Sequence, residues 1–556
     1  MEVLFLGNYT QDLVSDTFRN LTKEQNMDVN VTTAGFNQYR QEIINPVSQL
    51  YQLSPEVVFL SIDLFTFSED IIYLNDNNKT TLFKERIDDV IKLLHILKTN
   101  LPGAQVFVDN FFYFRPTTMA TIEYNSRYSF LQFETIANMM LNEAVKESGN
   151  LKIVDVKGLV LRKGAENLFD ERLYYLAKSH WSQTGLKELA GLYLRYFKAF
   201  KGIRKKCIVV DLDNTLWGGI IGDDGMENIK LSNDGDGKAF YDFQRELLKL
   251  YNRGILLAIN SKNTKEIVIE TMEKHPYMIL KPDHFISMKI NWNNKAQNMK
   301  EIADEINIGL DSLVFLDDSE FEREVIINKF PEVYTPALPK DFSEYPNFIR
   351  QLDVFDFLSL TGDDFARNKM YKANVQRDNL KMNVVNIEDF YCSLEMKATV
   401  DSITPFQVPR IAQMTQKTNQ FNLRTQRYTE SEIKRFMEDS GYEVYFLSLA
   451  DKFGDNGIVG TAIIKLDGEK AFIDSFIFSC RALGRTAETA LLNYIVEDVK
   501  EKGLKKLIGE YIPTKKNMPC KDFYKEHGFR KEENGMWIIN VKEYEPKQIP
   551  WIKVVN

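Results

Sequence analysis

Short apolar runs recur along the first 200 residues: VLFLG (3–7), VVFLSID (57–63), AQVFVDNFF (104–112) and LKIVDV (151–156). Stretches with helical periodicity separate them. That alternation predicts a parallel sheet held between helix layers. A basic stretch, KGIRKK (201–206), leads into a second alternation that starts with CIVVDLD (207–213). Near 350–385 the chain turns charged and helical, as in DDFARNKMYKANVQRDNLKM (363–382), and reads as a connector. The last block differs. EVYFLSLAD (443–451), IVGTAIIKL (458–466) and KAFIDSFIFS (470–479) follow one another as strands, the last two separated by the turn DGE. This predicts an antiparallel meander, followed by a helix and a further strand.

Composition changes the picture little. The chain has 556 residues, 44% hydrophobic and 27% charged, which predicts several globular domains. A net charge of −9 argues against non-specific nucleic-acid binding. No run approaches the roughly 18 apolar residues of a membrane span, so no membrane partner is expected. The start, MEVLFLGNYTQDL, lacks a basic region and a long apolar segment, and the expected location is cytoplasmic. The four cysteines lie far apart, without zinc-like or disulfide-like spacing.

Candidate chemistry sits at the ends of the middle strands. Asp211 and Asp213 lie two apart and point the same way from a strand end, where a cation or a shared proton must relieve their repulsion. LLAINSKN (256–263) ends a strand with Ser261, a helix opens near Lys295, and SLVFLDDSEFERE (312–324) ends a strand with Asp317 and Asp318. Open parallel sheets place ligands at such ends. Two carboxylate pairs for a hard cation, a hydroxyl and a lysine match phosphoryl transfer, with Mg²⁺ held by oxygen ligands.

The order Asp-x-Asp-x-Thr, Ser, Lys, Asp-Asp over 203–345 resembles the haloacid-dehalogenase superfamily. The resemblance implies Asp211 as nucleophile, Asp213 as general acid/base, Thr215 and Ser261 as phosphate ligands and Lys295 as charge balance. It makes Asp211, Asp213, Asp317 and Asp318 the metal site. The glycines of WGGIIGDDG (217–225) allow a tight bend beside the catalytic strand. About 45 residues from Asp213 to Ser261 and about 30 from there to Lys295 leave no room for a folded lid. An open site of that kind admits a large or tethered substrate.

In the last block, FIFSCRALGRTAETALLNYIVEDV (476–499) ends a strand near Cys480 and opens a helix after Arg481, Gly484 and Arg485. Backbone N–H groups at a helix start and arginines can bind phosphate, and a structural helix cap is the alternative. With NMPCKDFYKEHGF (517–529), the block resembles GNAT acetyltransferases over 390–545. Thr486 takes the sixth position of their Arg-x-x-Gly-x-Gly/Ala loop, and Cys520 replaces a small residue. The resemblance implies pantetheine binding by Arg481, Gly484, Arg485 and Asn517, with Tyr524 protonating a departing thiolate. Cys480 is either an acyl-carrying thiolate favoured by Arg481 or a buried, inert cysteine.

The first block, with LFLGNYT (4–10) early and SHWSQTGLKELA (179–190) late, resembles the SGNH-hydrolase fold. Asn8 stands where that family has its serine, and Ala177 where it has the aspartate before His180. This predicts a docking or scaffold module without triad chemistry.

Together these pieces, with RIAQMTQKTNQFNLRTQRYTESEI (410–433) and DFARNKMYKANVQR (364–377), resemble the FkbH-like family, whose phosphatase is of haloacid-dehalogenase (HAD) subfamily IIIC. The expected fold is α/β with three domains: an SGNH-like domain with a flavodoxin-like parallel sheet (1–200), a capless HAD Rossmann-like phosphatase (201–350) and, after a helical connector (351–388), a GNAT-like α+β acyltransferase (389–556). The resemblance implies removal of phosphate from a phosphorylated small-molecule donor such as 1,3-bisphosphoglycerate. It also implies loading of a glyceryl group onto the phosphopantetheine arm of an acyl carrier protein, with that arm or CoA as the bound thiol. The alternative is a simple phosphatase on a small phosphate ester, with the other domains as scaffold.

Overall fold

Strands β1 (Glu2–Gly7), β2 (Asn30–Thr33), β3 (Val57–Ser61), β4 (Gln105–Asp109) and β5 (Leu151–Val154) form a parallel sheet in the order β2-β1-β3-β4-β5. This is the flavodoxin-like order. Every residue of β3 and β4 is buried, as expected when helices cover both faces of a sheet. Phe5, Phe59 and Phe107 stack across three neighbouring strands, with ring centroids 5.0 and 5.2 Å apart. The computed structural model describes residues 1–72, 78–115, 120–125, 129–146, 148–360, 362–382, 384, 386–479 and 482–555.

Two compact units emerge, residues 1–201 with 427–435, and residues 202–426 with 436–556. Residues 427–435 are far from the first unit in sequence but are tied into it. Thr429 Oγ1 donates to the carbonyl of Pro102 at 2.9 Å.

The second unit holds two sheets. β6 (Cys207–Val210), β7 (Leu256–Ser261), β8 (Phe285–Ile290) and β9 (Leu313–Leu316) are parallel, in the order β8-β7-β6-β9. The connections out of β6 and β7 carry only the short turn Ile221–Asp224 and ordinary helices, so no lid domain is inserted in either.

The other sheet contains β10 (Met396–Ser402), β11 (Phe421–Asn422), β12 (Tyr442–Asp451), β13 (Gly454–Asp467), β14 (Lys470–Phe478), β15 (Lys506–Gly509), β16 (Arg530–Lys531), β17 (Trp537–Asn540) and β18 (Ile552–Val555). The expected meander is β12-β13-β14, antiparallel throughout. The helix Gly362–Met382 is fastened to it by Arg377, whose Nε and Nη2 each lie 2.6 Å from the carboxylate of Asp451. No helix among the described residues is long and apolar enough to cross a membrane.

Candidate active site

The four-residue strand β6 is wholly buried, and its pairing with β9 continues one step further, where the Asp211 N–H donates to the Leu316 carbonyl at 2.9 Å. The chain then turns sharply. Asn214 takes a left-handed φ of 53°, which asparagine tolerates, and its side chain accepts from the Gly219 N–H at 2.9 Å. Gly218 lies against Phe240, whose ring would stand 2.7 Å from an added Cβ. These contacts explain the glycines beside the motif: they let the loop fold tightly back onto the helix Gly237–Asn252.

Asp211, Asp317 and Asp318 bring one carboxylate oxygen each to within 4.8 Å of one another. Lys295 is the first residue of the helix Lys295–Ile306, and Asn294 caps that helix by accepting from the Ala296 N–H. Its Nζ lies 3.0 Å from Asp211 Oδ1 and 2.5 Å from Asp317 Oδ2. A lysine at a helix N-terminus opposes the helix dipole, so its burial there depends on the carboxylates. Asn260 steadies it by donating to the Lys295 carbonyl at 2.8 Å, and Asn298 donates to Asn260 in turn.

Burial, then the neighbouring charge of Asp211, pushes the Asp317 carboxyl up to about 7 despite Lys295. Burial also raises Asp211 and Asp318, while burial of Lys295 is outweighed by the two carboxylates that hold its ammonium above the usual lysine range. Three carboxylates therefore face one cation. Asp211 Oδ1 is buried with no well-aligned hydrogen-bond donor. An acidic, oxygen-only set of carboxylates fits a hard divalent cation such as Mg²⁺.

Thr215 and Ser261 stand where the sequence places them. The Thr215 hydroxyl accepts from the Asp318 N–H at 3.2 Å, and Ser261, buried at the end of β7, helps to hold the Asp211 carboxyl down against the effect of burial. Asp213 differs from expectation. Its carboxylate is not in the cluster: Oδ1 accepts from Trp217 Nε1 at 2.9 Å and the Ile221 N–H at 3.0 Å, and Oδ2 from Asn263 Nδ2 at 2.9 Å. Three donors fix it, so its side chain is not a metal ligand beside Asp211. Sequence reasoning missed these partners, and it missed Arg323, whose Nη1 donates to the carbonyls of Asp317 and Asp318, both at 2.8 Å. Asn263 was within view, two residues after Ser261.

The expected pantetheine site departs further. Cys480 and Arg481 lie outside the described residues. Arg485 is buried and turned inward, donating to Asp451 at 3.1 Å and to Asn374 at 3.1 Å, so its guanidinium serves the interior and not a ligand phosphate. Gly484 has a φ of 72°, and its carbonyl accepts from Tyr391 Oη. Asn517 is fully buried and structural: Nδ2 donates to the carbonyls of Asn422 and Ile512, and Oδ1 accepts from the Thr514 N–H.

β14 and β15 pair only over Lys470–Phe472 and Lys506–Ile508. Beyond that, the edge of β14 is taken by the chain itself. β11 pairs with Ile477 and Phe478, and Arg424 reaches Asp474 at 2.7 Å and Glu510 at 2.9 Å. Tyr524 lies in the core, its hydroxyl buried, without a partner and beneath Gly509. Burial raises it far above the ordinary tyrosine range, so it holds its proton.

Comparisons with known proteins agree with this layout. The family described as FkbH, N-terminal domain, matches residues 2–190, and the Acetyltransferase (GNAT) family matches residues 409–529. The N-terminal part of the protein BF1531 from Bacteroides fragilis, containing a phosphatase domain and complexed with Mg, is 31% identical. That match covers 65% of this chain and 95% of the other, with a TM-score of 0.61. The ribosomal-protein-S18-alanine N-acetyltransferase from Escherichia coli is 13% identical over 27% of this chain and 99% of its own, with a TM-score of 0.21. No curated protein matches the chain.

Fold and site define a multidomain α/β enzyme that carries a phosphatase domain and a GNAT domain. The chain belongs to the FkbH-like family.

Proposed function

We propose that this enzyme is a Mg²⁺-dependent phosphatase of the haloacid-dehalogenase type that acts on a phosphorylated acyl donor resembling 1,3-bisphosphoglycerate. In this reading the phosphopantetheine thiol of an acyl carrier protein attacks the carbonyl carbon of the donor's acyl phosphate, phosphate leaves, and a glyceryl-type thioester forms, while the middle site removes the ester-linked phosphate. The observation that carries the phosphatase reading is the buried cluster of Asp211, Lys295 and Asp317 with Asp318 at its rim. The Mg in the Bacteroides fragilis neighbour supports the choice of cation.

Asp211 is the nucleophile. A carboxylate oxygen of Asp211 attacks phosphorus, the bond to the leaving oxygen breaks, and an aspartyl-phosphate forms. Asp213, two residues on in the same turn, gives the leaving oxygen its proton and later takes one from the water that cleaves the acyl-phosphate bond. Lys295 and the Ser261 and Thr215 hydroxyls hold the phosphoryl oxygens. Bound Mg²⁺, held by Asp211, Asp317 and Asp318, would offset the charge gathered there. The lack of an inserted lid after β6 or β7 suits a substrate tethered to a carrier.

A second reading is favoured by the self-paired edge of β14 and the inward Arg485. In it the enzyme hydrolyses a small phosphate ester, and the GNAT domain is structural. The test is incubation with Mg²⁺, 1,3-bisphosphoglycerate and a phosphopantetheinylated carrier, followed by phosphate assay and mass measurement of the carrier. Phosphate release with a heavier carrier is the expected result. Release with an unchanged carrier selects the second reading, and no release with any phosphate ester overturns both.

A further inference from the structure

The first unit contains chemistry that no reading above uses. In the order β2-β1-β3-β4-β5 the connections leave β1 in opposite directions, so the C-terminal ends of β1 and β3 flank the switch point at which sheets of this order take their ligands. Asn8, one residue past β1, is locked to Asp63, two residues past β3: the Asp63 N–H donates to Asn8 Oδ1 at 2.8 Å, and Asn8 Nδ2 donates back to the Asp63 carbonyl at 3.0 Å. Asp63 Oδ1 lies 3.8 Å from His180 Nε2. An acidic partner for His180 thus exists, but it comes from another strand end and not from position 177.

Buried polar atoms normally find partners. Among the described residues of this unit, six buried side-chain atoms have none: Gln11 Oε1, Thr66 Oγ1, Arg115 Nε and Nη2, Ser179 Oγ and His180 Nδ1. All belong to residues just past β1, β3 and β4 or beside His180. The two Arg115 atoms form one edge of the guanidinium, the edge that grips two oxygens of a carboxylate or phosphate at once. Its nearest carboxylate, the exposed Glu171, stands 3.9 Å from Nε. Aromatic rings hold the guanidinium in place, with Tyr174 at 4.1 Å and Phe65 at 4.9 Å. Tyr174 also stacks on His180, with centroids 5.6 Å apart.

We propose that this site binds a small hydroxylated acid, its carboxylate or phosphate on the free edge of Arg115 and its hydroxyl among His180, Ser179 and Thr66. The free Gln11 oxygen accepts from a ligand hydroxyl. Burial, outweighing the pull of Asp63, lowers His180 and leaves it neutral near pH 7, so Nδ1 serves as a hydrogen-bonding group and not as a competing cation. The short helix Glu171–Ala177, none of whose seven residues is buried, borders the site through Tyr174. The inference does not rest on the phosphatase reading.

The test is hydrogen exchange on the full chain, read in peptides covering 165–182, with glycolate or inorganic phosphate at about 20 mM. One of the two should slow exchange about threefold there, and which one does so identifies the anionic head. In Arg115→Met the slowing should vanish, phosphate-ester turnover should persist, and the melting temperature without probe should match or exceed wild type, because the two buried guanidinium nitrogens lack hydrogen-bond partners. No slowing by either probe overturns the proposal, as does equal slowing in the variant. If Arg115→Met melts well below wild type, Arg115→Lys decides: it keeps the charge but loses the two-pronged edge. Weakened slowing in a stable Arg115→Lys upholds the site, and wild-type slowing overturns it.

Discussion

Lys295 and Asp317 form an ion pair, Nζ to Oδ2 at 2.5 Å, with both side chains buried. Its strength lies in what its loss would expose. Replacing Lys295 with Met leaves Asp211 and Asp317 buried without a cation, which costs about 3–5 kcal/mol. The urea midpoint in chelator should fall accordingly, and Mg²⁺ should restore part of it. Turnover of a phosphate ester should fall by at least about 10²-fold.

Asp211→Asn should abolish phosphate release, by at least about 10³-fold, because an amide is a poor nucleophile. The same change removes one of three crowded carboxylates. The chelated variant should therefore unfold at the same urea concentration as wild type or a higher one. Circular dichroism and a phosphate assay on one preparation check both outcomes.

Asp109 gives the first unit a pH dependence. Burial pushes its carboxyl up to about 7, although Tyr193 and Ser61 hydrogen bonds pull it down. An unfolded aspartate ionises near about 3.9. Between those values the unfolded chain has lost a proton that the folded chain keeps, so this contribution is full below about pH 4 and is lost as pH rises towards 7. The slope should reach up to about 1.4 kcal/mol per pH unit. Asp109→Asn keeps an acceptor for the Tyr193 hydroxyl and should flatten it, as urea titrations from pH 4 to 8 would show.

Asn517→Ala leaves the carbonyls of Asn422 and Ile512 without their buried donor. The cost should be about 1–3 kcal/mol per unsatisfied group. Exchange across 419–425 should quicken, because β11 loses its brace. A change in thiol-substrate KM at unchanged stability would instead return Asn517 to a binding role.

The middle site was legible because each of its residues sits at the tip of a parallel strand or the start of the helix that follows. Apolar runs mark those strands, and a parallel sheet brings their C-terminal ends to one edge, so Asp211, Ser261, Lys295, Asp317 and Asp318 had to converge. Asp213 shows the limit of that logic. Strand alternation puts its Cα on the right side, but Trp217, the Ile221 N–H and Asn263 decide where its carboxylate goes.

By itself, then, the sequence determined the α/β class, the strand ends and which acidic, hydroxyl and lysine side chains stand at them, since periodicity and local spacing encode these. Tertiary structure alone decided the partners. Arg485 belongs to Asp451, Asn517 to Asn422, and His180 faces Asp63, each pairing joining segments far apart in the chain. A buried polar side chain takes whatever complementary group the packed core brings within about 3 Å, and no local pattern specifies that neighbour.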